Sequence, residues 1–208
     1  MSTLYVNAKI FALLQTAMAI FSEPTSKKLV QARLIFDSGS QRTYISSRLK
    51  EALDLPSLRV ENFLIKKFGG DTEEPSQYDV VQFCVARLGG GGLNLYVKGY
   101  SVPSICAPLS QQKIEFAKRS YEYLSSLELA DSSMGGTEML IDILIGSDFY
   151  WQFTTGDMQR GRHGGPVAIR THLEWVLSGP YHEPRPPLVE SSVNLTSTHM
   201  LTIEVLGP

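Results

Sequence analysis

Residues 34–40 read LIFDSGS, and this stretch governs the interpretation of the whole chain. Its apolar half has the composition of a short buried strand, and that strand ends abruptly in a turn. Glycine lets the backbone turn sharply and lets N–H groups approach the carboxylate, and serine hydroxyls can donate to it. We therefore take Asp37 as the candidate catalytic residue, with Ser38 and Gly39 shaping its loop and Ser40 as a candidate hydrogen-bond partner of its carboxylate.

Two interpretations of this turn are open. An aspartate on a glycine turn suits acid–base hydrolysis, in which two carboxylates share one proton because like charges about 3 Å apart do not both ionise easily. One carboxylate then takes a proton from water, while its protonated partner polarises the peptide carbonyl. The alternative is an Asx turn after a strand, with a purely structural role. The three residues Asp-Ser-Gly alone do not separate the two.

A second informative element follows about 110 residues later. Residues 143–148 (ILIGSD) form an apolar strand that ends in Gly-x-Asp, and helix-compatible aromatic residues come next. Between the two elements, residues 60–68 and 78–88 predict strands around a Gly-rich, acidic connection. We expect a hairpin there, with Gly69 and Gly70 near its tip.

The remaining segments predict fewer helices than strands. Residues 48–53 predict a short helix that Pro56 stops, and residues 111–129 predict one amphipathic helix or two. Residues 10–21 (IFALLQTAMAIF) could imitate a secretory signal. Only Lys9 supplies a basic side chain before this stretch, and Gln15 and Thr16 interrupt the apolar run. Both features favour a buried strand or helix instead.

Composition excludes several classes of protein. Nineteen basic residues against twenty-one acidic ones leave a net charge of −2, without a Lys/Arg run longer than two. Proteins that bind nucleic acids or anionic membranes depend on clustered positive charge, so we expect neither partner. The longest apolar stretch is about half of the roughly 20 residues that a spanning helix needs. Two cysteines argue against a disulfide scaffold and cannot supply a four-ligand zinc site.

The order of catalytic turn, hairpin and Gly-x-Asp strand end resembles that of retroviral-type aspartic proteases. Further motifs narrow the resemblance: residues 143–153 (ILIGSDFYWQF), 165–168 (GPVA) and 175–180 (WVLSGP) are similar to the protease region of BEL/Pao-type retrotransposon polyproteins. The similarity covers roughly residues 10 to 180. One departure is Glu174, where the family pattern leads us to expect glycine, and it puts a local turn in doubt.

The resemblance implies a mainly β, retropepsin-like acid protease fold, a closed β-barrel or half-lobe with one or two inserted helices. It implies a peptidase domain over residues 1–180 and a Pro-rich, poorly ordered linker or tail over residues 181–208. Asp37 would be the catalytic carboxylate, and Gly69 and Gly70 would belong to the flap that closes over substrate. Gly146 and Asp148 would support the floor of the active site, with Asp148 in a structural role.

The partners and setting also follow from this resemblance. The chain holds a single Asp-[Ser/Thr]-Gly, so a homodimer would have to supply the second carboxylate. The substrate would be a polypeptide, namely the chain's own polyprotein, and neither cofactor nor metal is expected. The location would be intracellular and cytoplasmic, either free or within virus-like particles.

A competing hypothesis belongs to a different class of function. Mobile-element fragments decay, and the domain could be a catalytically decayed or domesticated retropepsin-like module that serves as a protein-interaction or structural domain. The intact Asp-Ser-Gly-Ser turn favours an active peptidase.

Overall fold

A computed structural model describes residues 10–67, 76–110, 114–131, 138–162, 164–182 and 203–206. The strands are β1 (Ile10–Leu13), β2 (Thr16–Ser22), β3 (Val30–Phe36), β4 (Tyr44–Ser46), β5 (Arg59–Lys67), β6 (Ser76–Arg87), β7 (Leu95–Val102), β8 (Leu109–Ser110), β9 (Glu138–Met139), β10 (Ile143–Ile145), β11 (Thr154–Arg160), β12 (Val167–Thr171), β13 (Glu174–His182) and β14 (Ile203–Leu206). The helices are α1 (Ser47–Ala52), α2 (Ile114–Ser120), α3 (Ser147–Phe153) and a 3-10 turn at Glu122–Leu124.

Six strands close into a barrel in the order β6-β2-β3-β10-β4-β7, and β7 pairs back onto β6. Most neighbours are antiparallel, but β3 pairs with β10 in parallel and β4 pairs with β7 in parallel. Parallel pairing places the carboxyl ends of β3 and β10 side by side. The loop after β3 therefore lies next to the residues that follow β10.

Period-two alternation explains the barrel interior. Along β3 and most of β2, every second side chain is buried, and the buried positions hold small alanines as well as large aromatic and aliphatic residues. The chief interior side chains are Ala17, Ala19, Phe21, Leu34, Phe36, Ile45, Val81, Phe83, Val85, Val97, Ile143 and Ile145. Burying such a set is the main favourable contribution to folding.

Besides the barrel, the described chain forms a hairpin, a second sheet and a two-stranded β8–β9 ladder. Strands β5 and β6 form the hairpin, and β14 adds to the outer edge of β5. The second sheet has the order β1-β13-β12-β11. It packs against α2 and the 3-10 turn through a separate apolar cluster, whose members are Leu13, Ile114, Ala117, Leu124, Leu127, Ala168, Trp175, Leu177 and Tyr181.

The predicted mainly β class and the closed barrel are confirmed. The segment over residues 111–129, predicted as one amphipathic helix or two, is divided in the structure. Tyr121 adopts an extended backbone conformation, so α2 ends before it and a separate 3-10 turn follows. Residues 143–145, predicted as an apolar strand, form β10, and all three are buried.

Two further predictions concern parts of the chain that are only partly described. Residues 69 and 70, predicted at the hairpin tip, lie outside the described residues. The same holds for most of the predicted tail, of which only residues 181–182, in β13, and residues 203–206, in β14, are described. Across the described ranges, the structure contains no helix with the length and apolar character needed to cross a membrane.

Candidate active site

Asp37 lies immediately beyond β3, at the point where β3 and β10 end together. Its backbone N–H donates to the Ile145 carbonyl oxygen at 2.9 Å, which fixes the loop to β10. The Gly39 N–H donates to Oδ1 of Asp37 at 2.9 Å, and the Ser40 N–H closes the turn onto the Asp37 carbonyl oxygen at 3.2 Å. The side chain is half-buried. The carboxylate is thus oriented by a backbone amide and still accessible to solvent.

The two serines of the loop have different environments. Ser38 is exposed, whereas Ser40 is fully buried, with 0% of its surface accessible. The Ser40 hydroxyl donates to the Arg42 carbonyl oxygen at 3.1 Å. We expected this hydroxyl to bond the Asp37 carboxylate, and that bond is absent among the described contacts. Ser40 instead stabilises the loop from beneath, since its carbonyl oxygen also accepts the Ser147 N–H at 2.7 Å.

Gly146 and Asp148 hold the segment that follows the loop. The Gly146 N–H donates to Oγ1 of Thr43 at 3.0 Å. The Thr43 hydroxyl donates to Oδ1 of Asp148 at 2.7 Å, and the Thr43 N–H donates to Oδ2 at 3.1 Å. Both oxygens of Asp148 are therefore engaged by Thr43, which is itself fully buried. This geometry suits a residue that supports the loop rather than one that reacts.

Sequence reasoning missed Thr43 and Gln15 as parts of this site. The Gln15 carbonyl oxygen accepts the Phe36 N–H at 2.9 Å, one residue before Asp37. Its side-chain oxygen accepts a hydrogen bond from the Tyr150 hydroxyl at 2.8 Å. This bond links the segment just before β2 to α3. The available signal was the polar interruption that Gln15 makes in an otherwise apolar run.

An aromatic cluster lies at the base of the hairpin. The Phe63 and Tyr78 rings stack with centroids 4.5 Å apart, and Phe63 meets Tyr100 edge-on at 4.7 Å. The ring centroids of Tyr100 and Tyr44 are 6.2 Å apart, and the Tyr100 hydroxyl donates to Oε2 of Glu61 at 2.7 Å. These contacts anchor the hairpin to the barrel wall close to the candidate site. Tyr44 directly follows Thr43, and Thr43 bonds Gly146 and Asp148 of that site.

Two side chains of this cluster, Tyr44 and Glu61, have pKa values shifted from their ordinary ones. Burial, with a smaller contribution from the Asp148 charge, raises the pKa of the Tyr44 hydroxyl far above its usual value. That hydroxyl has no hydrogen-bond partner among the described residues. The hydrogen bond from Tyr100, followed by that from Arg59, holds the pKa of Glu61 below its ordinary value. The first shift reflects a phenol kept neutral, and the second a carboxylate kept charged.

Other buried carboxylates in the described ranges have their own cationic partners. Asp131 accepts Nε of Arg33 at 2.8 Å, and Asp142 accepts Nε of Arg48 at 3.1 Å. Within the parts of the chain described, none of them contacts Asp37, and His, Cys, Asp and Glu side chains form no group of three that could hold a metal ion. Among the residues that the structure describes, the Asp37 carboxylate accepts the Gly39 N–H and shares no hydrogen bond with a second carboxylate.

No family model matches the chain, and no curated protein or solved structure shows detectable similarity to it.

Proposed function

We propose that the domain is a retropepsin-like aspartic endopeptidase that acts as a homodimer. The observation that carries the proposal is the geometry of Asp37: a half-buried carboxylate on a glycine turn, fixed between β3 and β10 and bonded by the Gly39 N–H at 2.9 Å. The sequence resemblance to BEL/Pao-type polyprotein proteases supports the same assignment.

The chemistry requires two carboxylates. An ionised Asp37 would take a proton from water as the water attacks the peptide carbonyl carbon, while a protonated partner donates a hydrogen bond to the carbonyl oxygen. The proton held by the partner then passes to the leaving amine nitrogen as the C–N bond breaks. The described part of one protomer supplies only one such carboxylate, so the second would come from the Asp37 loop of another copy across a two-fold axis.

The substrate would be an extended polypeptide, and the polyprotein that contains this chain is the natural candidate from the resemblance. The β5–β6 hairpin would cover the bound polypeptide. The anchored aromatic base at Phe63 and Tyr78 would act as the fixed end of this lid. Lids of this kind commonly gate substrate entry.

Subunit mixing tests the dimeric mechanism. Parent protein is titrated with Asp37→Asn protein at constant parent concentration, and hydrolysis of a quenched fluorescent polypeptide is followed at acid pH. Because an inactive chain sequesters an active one, we expect activity per parent chain to fall towards zero as the variant is added in excess. Activity that stays constant, or that sediments with a monomer, would contradict the shared site.

Inhibitor class is a second test of the same proposal. A pepstatin-like statine peptide should abolish hydrolysis, because its hydroxyl takes the position of the attacked carbonyl between two carboxylates. A chelator such as EDTA should leave the rate unchanged. The opposite pattern would contradict the aspartic mechanism.

A further inference from the structure

A groove of about 560 Å³ lies between the first helix and the strands that flank it. Its walls are α1, the start of β6 and the end of β7, and none of residues 37–40 lines it. The volume falls within the range of about 300–1,000 Å³ that is usual for ligand sites. The proposed peptidase chemistry makes no use of it.

Two strand edges face each other across this groove. The last paired residues of the β6–β7 ladder are Val80 and Tyr100. Beyond them, residues 77–79 of β6 stay paired with β5 on their opposite edge, and residues 101–102 of β7 stay paired with β4 on theirs. The inner edges therefore diverge and flank the groove. Along such an edge every second residue directs its N–H and C=O groups sideways, as a template for another strand.

The side chains of the groove add charge and apolar surface. Lys50 and Asp79 pair with each other, so their charges compensate. Glu51 is exposed and has no ion-pair partner among the described residues, which leaves the groove with an excess negative charge. Val60 is 54% exposed and offers an apolar contact beside Asp79, its neighbour across the ladder.

We propose that this groove binds an extended polypeptide segment that carries a basic side chain. The segment adds as a strand to the inner edge of β6 at residues 77–79, and its basic side chain pairs with Glu51. Strand addition draws affinity from main-chain hydrogen bonds and specificity from alternate side chains. The site is independent of Asp37, so it would serve a catalytic and a non-catalytic domain equally.

The test uses two synthetic probes and full-length protein. The first is fluorescein-labelled Thr-Val-Arg-Val-Thr, and the second is the same peptide methylated at both valine nitrogens, which removes two main-chain donors. Binding is measured by anisotropy and by amide chemical shifts. We expect the first peptide to shift residues 77–79 and 101–102, and methylation to weaken binding about tenfold, which corresponds to about 1.4 kcal/mol for the two lost donors together.

Three variants complete the test. Glu51→Lys should weaken binding about tenfold, whereas Glu122→Lys, an exposed carboxylate on the 3-10 turn, should leave it unchanged. Ser101→Trp should fill the groove and abolish binding. Asp37→Asn should bind like the parent, which separates this site from the proposed peptidase. The proposal is overturned by absence of binding at millimolar peptide, by equal affinity for the methylated probe, or by shifts confined to the Asp37 loop.

Discussion

Gly146 lies so close to the Arg42 backbone that a β-carbon at Gly146 would stand 2.3 Å from the Arg42 carbonyl oxygen and 2.5 Å from its carbonyl carbon. This approach brings the Gly146 N–H to Oγ1 of Thr43 and starts α3 directly beneath the Asp37 loop. Any side chain at this position would have to push the two segments apart. The contact therefore explains why a glycine follows β10.

Gly146→Ala should destabilise the domain by about 3 kcal/mol or more, because overpacking against backbone atoms leaves no flexible group to move. The measurement is the free energy of urea unfolding. Gly156→Ala is the matched control: its φ of 91° strains an alanine, but nothing lies within 4 Å of the added carbon. We expect that control to cost about 1 kcal/mol. Equal costs for the two variants would contradict the close approach.

Asp148→Ala should cost roughly 2–3 kcal/mol, because it leaves the buried hydroxyl and N–H of Thr43 without their acceptor. Asp148→Asn keeps one acceptor oxygen and should cost less than half as much. Asp157→Ala, an exposed aspartate on β11, should change stability by less than about 0.5 kcal/mol. Unfolding free energies check all three. If Asp148→Asn abolishes hydrolysis while stability is kept, Asp148 is catalytic rather than supporting.

Tyr44→Phe should stabilise the domain by about 1 kcal/mol at neutral pH, since it removes a buried hydroxyl that has no partner among the described residues. Tyr150→Phe is the control, because its hydroxyl donates to Gln15 at 2.8 Å, and it should be destabilising by about 1 kcal/mol. Urea midpoints at pH 7 compare them. Stabilisation by both variants, or by neither, would contradict this account.

The raised pKa of Tyr44 also predicts a pH effect. Below the unfolded-state pKa of about 10, both states hold the proton and the pKa shift has no effect on stability. Above it, the unfolded chain releases the proton while the folded chain retains it. Rising pH therefore stabilises the unfolded state, and the free energy of unfolding falls. Between pH 8 and pH 11 the parent should therefore lose more stability than Tyr44→Phe. Parallel losses would show that Tyr44 ionises normally in the folded state.

Glu174 adopts a φ of 93°, a left-handed conformation that disfavours residues with a side chain. Glu174→Gly should therefore be more stable than Glu174→Ala by about 1–2 kcal/mol, since both lose the ion pair with Arg87 and only glycine relieves the strain. Thermal midpoints of the two variants decide this. An alanine variant as stable as the glycine variant would indicate an unstrained turn.

The strands could be predicted from the sequence, because apolar side chains alternate along residues 30–36 and residues 143–145 are a continuous apolar run that is buried throughout. The closed barrel itself is an expectation from the family resemblance. The departure at Glu174 could be noticed for a related reason: the family pattern indicates glycine, and the structure has a glycine-like φ there. The sequence leaves open whether residues 111–129 form one helix or two, because helical spacing continues through residue 127, and the place of the break at Tyr121 is visible only in the structure.

The hydrogen bonds of the candidate site were less predictable. A hydroxyl at Ser40 could reach either the Asp37 carboxylate or a nearby carbonyl oxygen, and only the loop geometry selects Arg42. Thr43 and Gln15 join the site through partners more than 100 residues away. Spacing along the chain carries no signal for contacts of that kind, since tertiary packing creates them.

The most direct test of the central claim is the initial rate at which parent and Asp37→Asn proteins hydrolyse quenched fluorescent casein at acid pH. Asparagine keeps an oxygen that accepts the Gly39 N–H, so the loop should stay folded, while the proton-accepting carboxylate is lost. Unfolding free energies within about 0.5 kcal/mol of the parent would establish an intact fold. We predict hydrolysis by the parent and only background rate for Asp37→Asn. Equal rates for the two proteins, or no hydrolysis by a folded, dimeric parent, would contradict the assignment of Asp37 as the catalytic carboxylate.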